Sequence, residues 1–209
     1  MSQPEKIDLF KLHKDEYASP KKPKFVETSP AKYLAISGRG AFDSKEFEDK
    51  IGALYGTAFT IKMTRKFEGK GDYVVCKLEN QLWLDDDKAD YNDIDPGQWN
   101  WKMLIRTPDF VTDEDLEKAQ NALIEKGKAP EAKQVKFETF SEGLCVQMLH
   151  VGPYDKEPET VEVMKEFAKE QGMELYGKHH EIYISDPRRV PPERLKTILR
   201  MPVRKIKQS

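Results

Sequence analysis

Two short stretches of the chain resemble each other, Gly40–Asp43 (Gly-Ala-Phe-Asp) and Gly152–Asp155 (Gly-Pro-Tyr-Asp). Each follows a run with the alternation of a strand and precedes a run with the spacing of a helix. A second pair follows in the same order, Leu104–Pro108 (Leu-Ile-Arg-Thr-Pro) and Ile198–Pro202 (Ile-Leu-Arg-Met-Pro), each at the end of its half. Two matching pairs in one order indicate an internal repeat.

The remaining patterns extend this repeat over most of the chain. The first half is predicted to contain a strand at 33–37, a helix at 44–56 and strands at 72–84 and 99–106. The second half is predicted to contain a hairpin at 135–151, a helix that ends at Gly172 and strands at 179–185 and 195–202. A helix at 112–127, begun by a capping box at Thr112 and Asp115, links the halves. Antiparallel sheets with helices on one face form an α+β fold, whose helix-free faces are solvated or cover a ligand.

The composition narrows the class of protein. Among 209 residues, 35 Lys and Arg against 37 Asp and Glu leave a formal net charge of −2, without the basic excess typical of nucleic-acid binders. No apolar run is long enough to span a bilayer, and residues 1–8 lack the pattern of a signal peptide. Cys76 and Cys145 both lie in strand-like stretches, which favours a reducing compartment. We therefore expect a cytoplasmic protein that contacts neither membrane nor nucleic acid, with residues 1–23 as an N-terminal arm.

The segment 179–185 holds the first candidate site residues. In a strand, Ile182 and Ile184 share one face, and Glu181 and Tyr183 share the other. If the isoleucines pack on the helices, Glu181 faces the open side beside an aromatic hydroxyl. Such a carboxylate can bind a cation, or act as a general base with a pKa raised by desolvation. The alternative is an exposed glutamate on a solvated sheet face.

A second candidate site consists of tryptophans. Trp99 and Trp101 share a face of one predicted strand, and Trp83 lies in the neighbouring strand-like run. Paired tryptophans can stack on a flat heteroaromatic ligand or a cation. The alternative is that they join Met103 and Ile105 in the core, and the periodicity fits both.

A metal site is geometrically conceivable at His179, Glu181 and His150. The chain has neither a helical His-x-x-x-His spacing nor a cysteine pair to complete it. We therefore predict no metal and no other cofactor.

With these residues described, the chain resembles the GyrI-like small-molecule-binding family. The strongest resemblance lies in 179–189 (His-His-Glu-Ile-Tyr-Ile-Ser-Asp-Pro-Arg-Arg) and 192–200. Further matching stretches are 54–55, 99–102, 105–111, 137–140, 142–147 and 150–155. The resemblance runs from about residue 24 to the C-terminus, with repeats at about 24–111 and 134–209.

The resemblance implies a fold and a ligand site. In the family, two strand–helix–strand–strand modules are related by a pseudo-two-fold axis, with a ligand groove between the halves. The glutamate that corresponds to Glu181 lies in that groove and meets cationic or aromatic ligands. Members fused to a DNA-binding domain are drug-sensing regulators, but no helix-turn-helix domain is expected ahead of residue 24, so a regulator role is not expected here.

The resemblance also suggests an activity. A stand-alone subfamily hydrolyses cyclopropanoid DNA-alkylating compounds in an aromatic cage, and this chain is similar to it in length and tryptophan content. As a hypothesis, Glu181 would orient or deprotonate the water and Tyr183 would assist by hydrogen bonding. The ligand contacts expected with them are Trp99, Trp101, Tyr55, Phe42, Trp83 and His180. The alternatives are a non-catalytic protein that sequesters similar ligands and a gyrase inhibitor like the family's namesake.

Overall fold

The computed structural model describes residues 6–85 and 95–206, which form four α-helices and nine strands. The strands are β1 (Lys24–Glu27), β2 (Ala31–Arg39), β3 (Leu78–Trp83), β4 (Asn100–Arg106), β5 (Lys136–Phe140), β6 (Leu144–Val151), β7 (Met173–Leu175), β8 (His179–Tyr183) and β9 (Lys196–Lys205). The helices are α1 (Leu9–Leu12), α2 (Lys45–Phe67), α3 (Asp113–Glu125) and α4 (Glu157–Glu170). Residues 1–5 of the predicted arm lie outside the described residues.

The chain divides into two units. Unit 1 comprises the described residues of Met1–Leu12, Ala31–Leu78 and Leu82–Phe140. Unit 2 comprises those of His13–Pro30, Glu79–Gln81 and Ser141–Ser209. Strand β3 therefore contributes residues to both units.

Unit 1 is built around β2, which pairs antiparallel with β4 on one side and with β5 on the other. Helix α2 begins at Ser44, whose hydroxyl accepts a hydrogen bond from the amide of Phe47 at 3.2 Å. It continues to Phe67, eleven residues beyond the predicted end at 56, because buried residues at helical spacing continue through Ala58 and Ile61. The predicted capping box of Thr112 starts α3 and is confirmed.

Unit 2 contains the strand order β1-β6-β9-β8, with β7 paired to β9 and the Glu79–Gln81 part of β3 beside β8. The strand pairs β1–β6, β6–β9, β7–β9 and β8–β9 are antiparallel. Helix α4 packs on one face of this sheet, where Met164 and Ala168 meet Val146 and Leu199 in a core cluster. The predicted α+β fold with duplicated element order and antiparallel strands is confirmed.

The predicted hairpin at 135–151 is wrong. Strand β5 pairs with β2 in unit 1, whereas β6 pairs with β1 and β9 in unit 2. Between them, the hydroxyl of Ser141 donates to the carbonyl of Thr28 at 2.7 Å, and the amide of Glu142 donates to the hydroxyl of Thr28 at 2.9 Å. These bonds hold residues 141–143 against the end of β1. Strand β1 is part of unit 2, whereas the predicted first repeat begins at about residue 24.

The cysteines and the helices bear on the predicted cytoplasmic location. Cys76 and Cys145 are buried thiols that are not joined in a disulfide. Burial together with the charge of Glu142 raises the pKa of Cys145 to about 12. Within residues 6–85 and 95–206, no helix combines the length and the apolar composition that crossing a bilayer requires. The cytoplasmic location stays a prediction.

Candidate active site

The face of β8 that carries Glu181 is the face on which α4 packs. Glu181 lies directly opposite Leu199 of β9, and Leu199 belongs to the cluster under α4. Residues directly opposite each other in an antiparallel pair point to the same face. Glu181 and Ile182 point to opposite faces of β8, as expected. The isoleucine was expected on the helix side, but Ile182 lies opposite Ile198 on the side away from α4.

The carboxylate of Glu181 is held by two neighbours on its own strand. The hydroxyl of Tyr183 donates to its Oε2, and Nε2 of His179 lies 3.2 Å from its Oε1. Burial of this side chain, which is 7% exposed, would raise its pKa. The hydrogen bonds and charge of its neighbours outweigh burial and lower the pKa of Glu181 instead. The pKa raised by desolvation, expected from the sequence, is therefore wrong, and Glu181 is ionised at neutral pH.

Tyr183 connects this carboxylate to an aromatic neighbour. The ring of Tyr154, in the turn before α4, meets the ring of Tyr183 edge to face at 5.9 Å between centroids. Burial and the charge of Glu181 raise the pKa of Tyr183 well above its ordinary value, so its hydroxyl stays a donor. Tyr154 lies in the repeated Gly-Pro-Tyr-Asp stretch, but the sequence analysis did not single it out as a site residue.

A second carboxyl, that of Glu157, lies close to Glu181 and His179. Glu157 is the first residue of α4 and is buried. Burial and the charge of Glu181 raise its pKa to about 10, so it is protonated at neutral pH. Sequence reasoning missed this residue because no short-range pattern relates the start of α4 to β8. Only the packing of α4 on the Glu181 face brings them together.

Three of these side chains have the donor types of a metal site. Glu157, His179 and Glu181 each offer one ligand atom, and these atoms all lie within 4.8 Å of one another. Carboxylate oxygen and imidazole nitrogen are common ligands of zinc, so the donor set fits such an ion. His150, the other candidate from the sequence, instead contacts the hydroxyl of Thr160 at 2.8 Å and the carbonyl of Pro153 at 3.1 Å. The absence of a metal stays a prediction.

His180 lies on the opposite face of β8, within a buried polar network. Its Nδ1 is 2.8 Å from Oε2 of Glu142 and its Nε2 is 3.0 Å from Oε2 of Glu79. Burial lowers the pKa of His180, but the charges and hydrogen bonds of both carboxylates outweigh it and raise the pKa to about 9. The side chain is fully buried, and its contact with a ligand stays a prediction. It is a structural cation between two carboxylates.

The network extends to the segment that precedes β1. Tyr17 donates its hydroxyl to Glu79 at 2.7 Å, and Nε of Arg200 donates to Gln147 at 2.7 Å. Arg200 also donates to the backbone carbonyl of Glu16. These contacts fasten residues 16–17 to the face of the unit 2 sheet that α4 leaves uncovered.

The predicted aromatic residues lie in unit 1, and three of them belong to one cluster. Phe42 contacts Trp99 at 6.1 Å and Phe47 at 5.6 Å, and Phe47 meets Trp101 edge to face at 4.9 Å between centroids. Trp101 is fully buried and donates its indole N–H to the carbonyl of Gly40 at 3.2 Å. Trp101 is therefore a core residue in this structure, and its contact with a ligand stays a prediction. Phe42 is exposed and Trp99 is half-buried.

Tyr55 and Trp83 are the other two predicted aromatic residues of unit 1. Tyr55 is half-buried on α2 and stacks on Phe59 with 6.2 Å between centroids, while Trp83 is half-buried at the end of β3. Phe59 is 51% exposed and escaped the sequence analysis because the helix was predicted to end at 56. Extended to Phe67, the helix shows an apolar row of Tyr55, Phe59, Met63 and Phe67 at a spacing of four residues.

The burial of Trp101 depends on a glycine. A Cβ atom at Gly38 would lie 2.2 Å from Cη2 of Trp101, far inside van der Waals contact. We expect Gly38→Ala to destabilise the protein by about 1–3 kcal/mol, because the indole cannot move within a closely packed core. Urea unfolding followed by circular dichroism measures the change.

Gly52→Ala is the matched control for this substitution. Gly52 lies inside α2, and a Cβ atom there meets nothing within 4 Å. Alanine is preferred to glycine in a helix by about 0.5–1 kcal/mol, so this variant should be slightly more stable than the wild type. Equal stability of Gly38→Ala and the wild type would contradict the close approach of Trp101.

Comparisons with known proteins agree with the fold. A family model described as the GyrI-like small molecule binding domain matches residues 103–204. An uncharacterized conserved protein from Listeria innocua is 40% identical, with a TM-score of 0.88 over 95% of this chain and 100% of the other. Two structures of a hydrolase from the same organism are each 38% identical, with TM-scores of 0.84 and 0.85, over 95% and 96% of this chain and 100% of each of theirs. No curated protein matches the chain.

The matched segment, 103–204, contains α4, β8 and all of β9 except Lys205. It therefore includes Glu157, His179, Glu181 and Tyr183. The Listeria structures extend the similarity over at least 95% of the chain. The chain belongs to the GyrI-like small-molecule-binding family.

Proposed function

We propose that this protein binds flat aromatic or cationic small molecules and hydrolyses cyclopropanoid DNA-alkylating compounds, which would protect the cell from them. The observation that carries the proposal is the state of Glu181, a buried carboxylate kept ionised by His179 and Tyr183. A buried carboxylate of this kind is a candidate for functional work on a water molecule or a cation. The hydrolases among the similar structures support a hydrolytic reaction.

The proposed reaction adds one water to a strained ring. The water oxygen attacks a methylene carbon of a cyclopropane conjugated to a dienone, and Glu181 accepts a proton from that water. The carbon–carbon bond of the ring breaks, and its electron pair moves into the dienone. The dienone oxygen takes up a proton and becomes a phenol, so the product is the substrate plus one water. The role of Tyr183 is to hold the Glu181 carboxylate by its hydrogen bond.

The aromatic ligand contacts that the family resemblance suggests stay a proposal. Phe42, Trp99, Tyr55 and Trp83 are all at least partly exposed. Aromatic rings can stack on a planar ligand or a cation. The buried ring of Trp101 contacts Phe47, and Phe47 in turn contacts Phe42.

The experiment that tests this function is incubation of the protein with a cyclopropanoid alkylator in water enriched in oxygen-18. We expect a product heavier than the substrate by one labelled water, formed in proportion to the protein, and detected by mass spectrometry. Heat-denatured protein is the control for spontaneous opening. If the active protein forms no more product than this control, the hydrolase proposal fails.

A second candidate function is binding without catalysis. Both oxygens of Glu181 already have partners, Oε1 near His179 and Oε2 with Tyr183, which favours a role in holding a ligand charge. A sequestering protein would protect DNA from the alkylator in stoichiometric amounts and leave the ring closed. Protection without product in the same incubation identifies this function.

A further inference from the structure

One face of α2 carries apolar side chains that are exposed among the described residues. Phe59, Met63 and Phe67 follow one another at a spacing of four residues and are 51%, 37% and 80% exposed. Residues four apart in a helix lie on the same face. Single exposed apolar side chains are ordinary, whereas three in a row form a patch of the kind that marks an interaction surface. We call these three residues the exposed row.

The same face is open to close approach at a glycine. Gly52 lies seven residues before Phe59, which is two helical turns, and its residue is exposed. A Cβ atom at Gly52 would meet nothing within 4 Å. A side chain of another molecule can therefore lie directly over the helix backbone there.

The two ends of this face carry opposite charges. Glu48, in the first turn of α2, lies one turn before Gly52, and Lys66, in the last turn, lies two turns after Phe59. Both residues are exposed. The Nζ of Lys66 is 3.8 Å from Asp72, which a second lysine contacts at 3.2 Å, so Asp72 keeps a cation if Lys66 turns away. The face is therefore acidic at one end, apolar in the middle and basic at the other end.

We propose that the exposed row is the interface of a homodimer, in which α2 packs antiparallel against α2 of a second copy about a two-fold axis at Phe59. An antiparallel pair brings the acidic end of each helix to the basic end of the other, whereas a parallel pair would bring like charges together. A two-fold contact is closed, so association stops at two copies. The inference does not depend on the proposed function.

The open backbone at Gly52 gives this arrangement its specific contact. With the axis at Phe59, residue 66 of one copy lies opposite residue 52 of the other, because each is seven residues from the axis. The methylene groups of Lys66 then lie over Gly52, and the ammonium group extends to Glu48 of the second copy, one turn further along the helix. The two-fold axis makes this ion pair twice.

The size of the contact sets the expected affinity. A single pair of helices buries less than the roughly 800 Å² per partner of a standard interface. We therefore expect a dissociation constant on the order of 10 µM. Sedimentation equilibrium of the full chain, at concentrations from about 1 to 300 µM, should show the mass rising from one copy to two and no further.

Phe59→Asp tests the apolar centre of the interface. It places two carboxylates at the axis, where like charges repel, and should raise the dissociation constant at least about 100-fold. Val163→Asp, at a 48% exposed position on α4, is the matched control and should leave the dissociation constant unchanged. The far-ultraviolet circular dichroism of both variants should equal that of the wild type, because both positions are exposed.

A charge exchange tests the antiparallel direction. Glu48→Lys should weaken the dimer about tenfold, and the double variant Glu48→Lys with Lys66→Glu should return to within about threefold of the wild type. Within one helix the two residues are 18 positions apart, or about 27 Å, so they have no direct contact there. Coupling between them therefore reports a contact between copies.

A disulfide locates the axis. Both natural cysteines are buried, so a cysteine introduced on the surface is the reactive thiol. Residues on a two-fold axis lie beside their own equivalents, so Phe59→Cys should form a disulfide between two copies on mild oxidation, whereas Val163→Cys should not.

Three results would overturn the inference. The first is the mass of a single copy at the highest concentration. The second is a dimer in which Phe59→Asp has no effect or the two charge changes are not coupled. The third is a wild-type protein that stays monomeric while Phe59→Asp loses binding of a cyclopropanoid, which would assign the exposed row to a ligand site.

Discussion

Glu181→Gln is expected to lower kcat for the ring opening by about 10²- to 10⁴-fold, the range that a positioned general base contributes. Glutamine has nearly the same size but cannot accept a proton from water. The ligand should still bind, because the proposed aromatic contacts lie on other elements and are unchanged. For an uncharged cyclopropanoid, the dissociation constant should therefore stay within about fivefold of the wild-type value, a difference of about 1 kcal/mol.

The measurement pairs two assays on the same variant. Product formation by mass spectrometry gives kcat, and quenching of the fluorescence of the three tryptophans gives the dissociation constant. Glu162→Gln, an exposed position on α4, is the matched control and should behave as the wild type in both assays. Unchanged turnover in Glu181→Gln would reject Glu181 as the base. If neither the wild type nor Glu181→Gln forms product, and Glu181→Gln no longer binds the compound, the result would favour the sequestering function.

His180→Phe is expected to destabilise the protein by about 3–5 kcal/mol, the cost of breaking a buried ion pair by removing one partner. Phenylalanine provides a ring of similar shape, so lost volume contributes little. The substitution leaves the buried carboxylates of Glu79 and Glu142 without the cation between them. Arg200, 3.5 Å from Glu142, compensates that carboxylate only in part.

The pH dependence of stability identifies the cause. The pKa of His180 is raised from 6.5 to about 9, so its contribution is complete below pH 6.5 and is lost as the pH rises through 9. Despite its burial, the charges of His180 and Arg200 lower the pKa of Glu142 from 4.5 to about 2, so its contribution is complete above pH 4.5 and is lost as the pH falls towards 2. The contribution of His180 and Glu142 to the free energy of unfolding of the wild type should be largest between about pH 4.5 and 6.5. In His180→Phe, the decrease of this free energy between pH 6.5 and 9 should be absent.

Urea unfolding at a series of pH values measures both effects. Arg204→Ala is the matched control, because Arg204 forms an exposed ion pair with Glu174 at 2.7 Å on the same sheet. Exposed pairs contribute about 0–1 kcal/mol, so this variant should remain close to the wild type. A loss of less than 1 kcal/mol in His180→Phe would show that the buried network does not depend on a charged histidine.

Local patterns predicted much of the fold. The order of strands and helices, the cap at Thr112 and the shared face of Glu181 and Tyr183 depend on residues close together in the chain, where spacing and hydrogen bonding act directly. The partners of β5 and β6 were not predictable in this way. Alternation identifies a strand, but the strand with which it pairs depends on distant residues, such as Thr28 and its bonds to 141–142.

The same distinction applies to the candidate site. Glu181 is recognisable from its strand and from the family resemblance, whereas its ionisation depends on burial, on His179 and on Glu157 at the start of another element. His180 and Trp101 were expected to contact a ligand, and both side chains are fully buried. His180 lies between two carboxylates from other strands and loops, and Trp101 packs against the backbone of Gly38. The sequence by itself determined which side chains share a face. Only the tertiary structure decided which face is buried and which charges meet there, because burial and pKa depend on groups distant in the chain.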